Sequence, residues 1–139
     1  MEERIYQART YSSGTRGRAI CNSRQHHFIA DDVDQDELTA GEYFLTGLTA
    51  CAVNMLERVA PEHDIVLKHI EVRAEGCYHR SAQPQAVTLF QYVNLAFDFQ
   101  GITEAQAQEL VSIYKSRCPL YGTVATAIPQ VHIEITVKA

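Results

Sequence analysis

The chain has 139 residues, 46% of them hydrophobic, and carries 12 Lys plus Arg against 17 Asp plus Glu for a formal charge of −5. That length suits one domain with a real core, and the acidic balance argues against a nucleic-acid surface or a polybasic membrane anchor. No apolar run approaches the ~20 residues of a membrane span. The charged start Met1-Glu2-Glu3-Arg4 lacks the apolar segment of a secretory signal. The expectation is a single domain over 1–139 in the cytoplasm. Its four cysteines, Cys21, Cys51, Cys77 and Cys118, form no Cys-x-x-Cys pair and have no zinc-ligand spacing. In a reducing compartment, a disulfide among them would be transient and catalytic rather than structural.

Taken in order, Ile5–Ala8 reads as a short strand and Ser12–Arg18 as a turn carrying two cations, Arg16 and Arg18. Ala19–Asn22 and His27–Ala30 read as a hairpin around a polar turn, Ser23–His26. The acidic run Asp31–Glu37 is expected to be a solvated loop ahead of a helix. It lacks the glycine and distal glutamate of a calcium loop, so no metal is expected.

A long helix follows, from Thr39 to Ala60. Phe44, Leu45, Leu48, Cys51, Ala52, Met55, Leu56 and Val59 recur at helical spacing and give one broad apolar face. Thr39 and Glu42 have the spacing of a capping box, and Pro61 stops the helix. Gly41 and Gly47, poor helix formers, suggest close approach of another backbone. A thiol in the middle of this face, Cys51, reads on its own as core filling, because free cysteine is commonly buried as a small hydrophobe.

After a turn at Glu62–Asp64, Ile65–His79 reads as a long strand with Ile70, Val72, Ala74 and Gly76 on one face. Arg80–Gln85 is a loop. Val87–Phe99 is a second long strand that should pair antiparallel with the first. Both exceed the usual ~5–6 residues, which suggests that parts reach a second subunit. Thr103 and Gln106 repeat the capping-box spacing ahead of a helix to Arg117, with Ala107, Leu110, Val111 and Tyr114 as its apolar stripe. Pro119 fits a first helical position, which makes Cys118 the N-cap of a third helix through Ala127. Gln130–Lys138 is the terminal strand. The fold class is α+β, a mainly antiparallel sheet with helices packed on one side.

Cys118 differs from Cys51 in kind. At a helix N-cap a thiol meets unpaired amide protons and the positive end of the helix dipole, which favour the thiolate; equally, it could serve as a plain small cap. The stretch Gly41-Glu42-Tyr43-Phe44-Leu45-Thr46-Gly47-Leu48-Thr49-Ala50-Cys51 resembles the Glu-Leu-Leu-Leu-Ala-Ala-Leu-x-x-Cys helix of the OsmC/Ohr family, the osmotically inducible and organic-hydroperoxide-resistance proteins. Cys118-Pro119-Leu120-Tyr121-Gly122-Thr123 resembles that family's second signature, a Cys-Pro followed by Val or Ile and, three further on, Thr. Length, element order and thiol spacing agree, so the resemblance covers nearly the whole chain.

The resemblance implies a thiol-dependent peroxidase. Cys51 would attack an organic hydroperoxide and become a sulfenic acid. Cys118 would resolve it to a disulfide, and an external dithiol would reduce that disulfide, with no bound cofactor. It also implies an intertwined homodimer with two interfacial sites. Phe44, Leu48 and Met55 would then help to form an apolar pocket suited to organic rather than hydrogen peroxide. Burial raises a thiol's pKa, so Cys51 needs a cation. The family's arginine turn corresponds to Gly14–Arg18, shorter here by one residue, which makes Arg16 the first candidate and Arg18 the second.

In the best-studied branch a glutamate stands ten positions before the cysteine. Here that position is Gly41. Glu42 stands nine before, on the opposite side of the helix from Cys51 at ~100° per residue, and is read as a cap. Cys21 and Cys77 are read as structural, and His26-His27 as a solvated turn pair. The alternative function is a non-catalytic dimer of this family that binds a small apolar ligand in the same pocket.

Overall fold

The computed structural model describes residues 2–79 and 88–139, and these fall into two compact units that meet in sequence at Phe44/Leu45. The expected loop Arg80–Gln85 and the start of the second long strand at Val87 lie outside the described residues.

The first unit is a three-stranded antiparallel sheet of β1 (Arg9–Ser12), β2 (Arg18–Ser23) and β3 (His26–Asp31), in that order. The hairpin expected around Ser23–His26 is there, turned by Arg24 and Gln25 with φ of 50° and 67°. Two consecutive residues of positive φ give a turn whose twist matches that of the strands it joins. The first strand, expected over Ile5–Ala8, instead begins at Arg9. Pairing with β2 sets its position, Arg9 opposite Asn22 through Ser12 opposite Ala19, and Ile5 and Tyr6 stay exposed. Local apolarity gave the wrong register because edge-strand position is a long-range property.

The acidic run does not lie wholly in solvent. Arg18 at the start of β2 and Asp31 at the end of β3 are cross-strand partners. Arg18 Nε donates to Asp31 Oδ1 at 2.8 Å and its terminal nitrogen to Oδ2 at 2.7 Å. Asp31 Oδ2 also accepts from the Glu37 amide at 3.0 Å, and the Asp31 side chain is fully buried. A planar fork facing a carboxylate gives two parallel bonds, so the arrangement has directional as well as Coulombic preference. The Asp31 amide meanwhile donates to Leu38 O at 2.9 Å, so one residue closes both the hairpin and the loop that leads to the long helix.

That helix, α1, runs Ala40–Val59 and passes into a 3-10 turn at Ala60–His63 that holds Pro61. The capping box is made: the Thr39 amide donates to Glu42 Oε2 at 2.6 Å and the Glu42 amide to Thr39 Oγ1 at 3.3 Å. Tyr43 Oη donates to Ile29 O at 2.7 Å, tying the first turn of α1 to β3. Among the described residues no backbone approaches Gly41 or Gly47 closely. A Cβ on either would have nothing nearer than 3.8 Å, the tip of Leu120 in the case of Gly47.

The second unit holds the main core. Its sheet is β4 (His69–Tyr78), β5 (Phe90–Gln100) and β6 (Gln130–Lys138), with β5 in the middle. β4 and β5 pair antiparallel as expected, whereas β5 and β6 run parallel. A parallel neighbour needs a crossover, and α2 (Glu104–Arg117) with α3 (Pro119–Ala127) provides it. The segment Ile65–Lys68, read as strand, is not. His69 already pairs with Gln100, the last residue of β5, and Gly101 then turns away with φ of +83°. A side chain at Gly101 would come within 2.7 Å of Lys68 Cβ, so the chain reverses there on glycine.

Val93, Leu95, Phe97 and Phe99 of β5 are buried under Leu48, Ala52, Leu56 and Val59 of α1 and Ala107, Leu110, Val111 and Tyr114 of α2. The stripes anticipated from spacing are thus the packed faces. Phe44 is the exception, 44% exposed. Thr103 and Gln106 complete the second capping box.

The Arg18 fork holds the Asp31 carboxyl below its ordinary pKa of 3.8, with the hydrogen bond from Arg18 as the main cause. A carboxylate whose folded pKa is depressed stabilises the fold above its unfolded pKa, and that stability is lost as pH falls through the folded value. Asp31→Asn should therefore lower the urea midpoint at pH 7. The difference from wild type should shrink as pH falls below 3.8, the carboxyl's ordinary value, toward its lowered folded value. A difference that stays constant below pH 3.8 would contradict this.

Candidate functional site

Two elements far apart in sequence bring the thiols together. Cys51 lies at the middle of α1, one turn before Met55, on the face that packs on the sheet. Cys118 lies where α2 ends and α3 begins. It is the C-cap of one helix, with its amide donating to Tyr114 O at 2.9 Å, and the N-cap of the next. Pro119 at the first position of α3 forces the break. Cys118, with φ −76° and ψ 114°, is extended, the conformation that a residue before proline prefers.

Cys51 Sγ and Cys118 Sγ are 3.0 Å apart, both as free thiols. A disulfide needs about 2.05 Å, so bond formation requires a shift of about an ångström and no rearrangement of elements. The two sulfurs differ in access. Cys118 is buried at 3% exposure, while Cys51 is half-buried. They also differ in polar company. The Tyr121 amide, in the first turn of α3, donates to Cys118 Sγ at 3.4 Å. Among the described residues, the one hydrogen-bond partner of Cys51 Sγ is the other sulfur.

Burial, first, and the contact with Cys118, second, push the Cys51 thiol up to about 12. The group that opposes them is Arg58, two turns further along α1 on the same helical face and exposed, whose charge pulls the value down without outweighing burial. In the second unit alone, then, Cys51 is held as a neutral thiol in hydrogen-bond contact with Cys118.

Tyr114 escaped the sequence reading as a functional residue. Its place in the apolar stripe of α2 marked it as core, and it is fully buried, against Phe97 at 5.3 Å and Tyr121 at 5.2 Å between ring centres. The hydroxyl, however, has no hydrogen-bond partner among the described residues. Burial and the neighbouring thiols raise its pKa. The available signal was its position four residues before Cys118, which places both on one face of α2.

The remaining candidates lie in the first unit. Arg16 is exposed in the turn between β1 and β2, and within that unit it makes no ion pair among the described residues. Arg18 has its fork occupied by Asp31. Glu42 caps α1. Cys21 is buried in β2, and Cys77 is half-buried in β4. His26 and His27 are exposed, at the start of β3 rather than in its turn. No group of three potential metal ligands exists among the described residues, and no helix among them is long and apolar enough to cross a membrane.

A family model described as "OsmC-like protein" matches residues 33–134, most of the chain and both thiols. The chain belongs to the OsmC-like family. Similar solved structures include an OsmC-like protein from Mycoplasma pneumoniae, 17% identical, covering 99% of this chain and 100% of its own, with a TM-score of 0.87. An organic hydroperoxide resistance protein, OsmC, from Legionella pneumophila is 16% identical over 100% of both chains, with a TM-score of 0.76. The organic hydroperoxide resistance protein OhrB of Bacillus subtilis is 20% identical over 96% of this chain and 98% of its own, with a TM-score of 0.71. At these identities the likeness is one of fold. No curated protein matches the chain in sequence.

The contact with Cys118 is the second cause of the raised Cys51 pKa, so its removal has a definite sign. In Cys118→Ala the Cys51 pKa should fall from its value near 12 and yet stay above an ordinary thiol, because burial persists. Iodoacetamide alkylation rates against pH, read at the Cys51 peptide, measure it. A midpoint unchanged or raised in the variant would contradict the pairing.

Proposed function

We propose that this chain is a thiol-dependent peroxidase for organic hydroperoxides. The observation that carries the reading is the 3.0 Å contact between a half-buried and a buried thiol on separate helices. In the proposed cycle the Cys51 thiolate attacks the distal peroxide oxygen. The O–O bond breaks, the alkoxide leaves and takes a proton to become an alcohol, and Cys51 becomes a sulfenic acid. Cys118 then attacks the Cys51 sulfur and displaces the hydroxyl as water, giving the disulfide. An external dithiol returns both thiols by exchange. No bound cofactor takes part.

The raised pKa of Cys51 sets the requirement this chemistry has to meet. A cation must reach the sulfur, and Arg16 is the proposed source because its guanidinium is uncommitted within its unit, whereas Arg18 is held by Asp31. The working form is proposed to be a homodimer of one OsmC-like domain per chain, in the cytoplasm, with each site at the subunit interface. Membership of the OsmC-like family, and a fold shared with proteins named for hydroperoxide resistance, support the reading. The same high pKa favours a second reading, a dimer that binds a small apolar ligand beside idle thiols.

Fully reduced protein treated with one equivalent of cumene hydroperoxide, and separately with hydrogen peroxide, separates the two by peptide mass spectrometry. The peroxidase reading expects a Cys51–Cys118 disulfide, formed faster with the organic peroxide. Arg16→Ala should slow it by at least about tenfold, the thiolate fraction lost with one pKa unit. Cys51 recovered as a free thiol under both oxidants would sink the catalytic reading in favour of the ligand-binding one.

A further inference from the structure

We propose that Tyr114 is a catalytic residue of the reductive half of the cycle, its hydroxyl donating a hydrogen bond to Cys118 Sγ when that sulfur leaves the disulfide as a thiolate. The inference rests on the reading of Cys51 and Cys118 as a redox couple and adds the direction in which their disulfide opens.

The direction follows from access. A thiolate reductant approaching from solvent meets Cys51, which is half-buried, before Cys118, which is 3% exposed. It attacks Cys51 Sγ and forms a mixed disulfide there. The Sγ–Sγ bond breaks, and its electron pair departs on Cys118 Sγ. The reductant's second thiol then displaces Cys51, so that the dithiol supplies both electrons and ends as its own disulfide. The leaving sulfur is therefore the one deep in the core, and exchange is fastest when that sulfur is best stabilised as an anion.

Cys118 sits where such an anion can be held. The Tyr121 amide already donates to it at 3.4 Å, from the first turn of a nine-residue helix. Tyr114, one turn earlier on α2, is fully buried and its hydroxyl has no partner among the described residues. A buried unpartnered hydroxyl is uncommon, because desolvation is left uncompensated. Phe97 and Tyr121 fix the ring on its flanks at 5.3 and 5.2 Å, so the hydroxyl cannot swing out to water. The Cys118 sulfur interacts with this phenol both by charge and at hydrogen-bonding range, and Cys51 by charge, so the hydroxyl lies beside the couple. Against a thiol the contact is weak and short of full hydrogen-bond geometry. With Cys118 anionic, it has a charged acceptor, and such bonds are roughly twice as strong as neutral ones.

Tyr114→Phe removes the oxygen and keeps the ring. The full-length protein, converted to its Cys51–Cys118 disulfide with diamide, is mixed with dithiothreitol, and free thiols are trapped by acid quench and alkylation. The variant should be reduced at least about tenfold more slowly than wild type, the range expected for a hydrogen bond to a charged group. Its dithiol–disulfide equilibrium, set by end states in which Cys118 is a thiol or part of the disulfide, should stay within about twofold of wild type.

Tyr114→Leu, which removes the ring as well, identifies a merely structural role. If Phe matches wild type in rate while Leu alone is slowed, packing explains the residue and the proposal is overturned. Wild type with ring-labelled tyrosine needs no variant at all. In the reduced protein its Tyr114 Cζ resonance should move when alkaline pH converts Cys118 to the thiolate, and an unmoved resonance also overturns the proposal, as does failure of diamide to form this disulfide. Diamide bypasses hydroperoxide. A chain that ignores peroxides but shows the Tyr114→Phe effect refutes the peroxidase reading and leaves this one standing.

Discussion

The contact between Cys51 and Cys118 is the constraint on which the rest of the second unit depends. Two sulfurs 3.0 Å apart require that α1 and the α2–α3 junction meet over the sheet within a few tenths of an ångström. The apolar faces provide the force. Leu48, Ala52 and Leu56 on α1, Leu110 and Tyr114 on α2 and the alternating β5 residues are essentially sealed from water. Close packing of that kind holds a side chain in one rotamer and turns an average proximity into a fixed one. The junction supplies the angle: Pro119 ends one helix at Cys118 and starts the next with the thiol as its cap.

The same packing imposes an electrostatic cost on reactivity. A thiol buried by α1 and paired with another thiol is disfavoured as an anion, and the exposed Arg58 does not compensate. In the proposed cycle the nucleophile needs a cation nearer than Arg58, and the resolving thiol needs donors of its own. Cys118 has them in the Tyr121 amide and, as proposed, the Tyr114 hydroxyl. The site is asymmetric by construction. One sulfur is the more accessible, while the other is sealed and receives a backbone amide.

Much of this was legible in the sequence because it is local. Both capping boxes, the bounds of α2, α3 and β6, and the cap position of Cys118 follow from residue types at short spacing. The family resemblance adds the pairing of the thiols, which no local pattern contains. What escaped is long-range. The position of β1 depends on β2, not on the apolarity of Ile5 and Tyr6. β5 ends at Gln100, so Ile65–Leu67 have no strand residue opposite them and Lys68 keeps a single bond to Gln100 O. The parallel seat of β6 depends on the crossover, not on its own sequence. Asp31 looked like one member of an acidic run, and only the register of the hairpin puts it opposite Arg18. Tyr114 looked like core and is core. Its hydroxyl becomes informative only when the absence of a partner can be seen.

The claim that ties these points together is that Cys51 is the sulfur that meets the peroxide and Cys118 the one that answers it. Its most direct test stops the cycle halfway. In Cys118→Ser, the sulfenic acid has no resolving thiol and can be trapped with dimedone during exposure to cumene hydroperoxide. The account predicts one adduct, on Cys51, with Cys21 and Cys77 unlabelled. No adduct on Cys51, or label spread over the other cysteines, would contradict it.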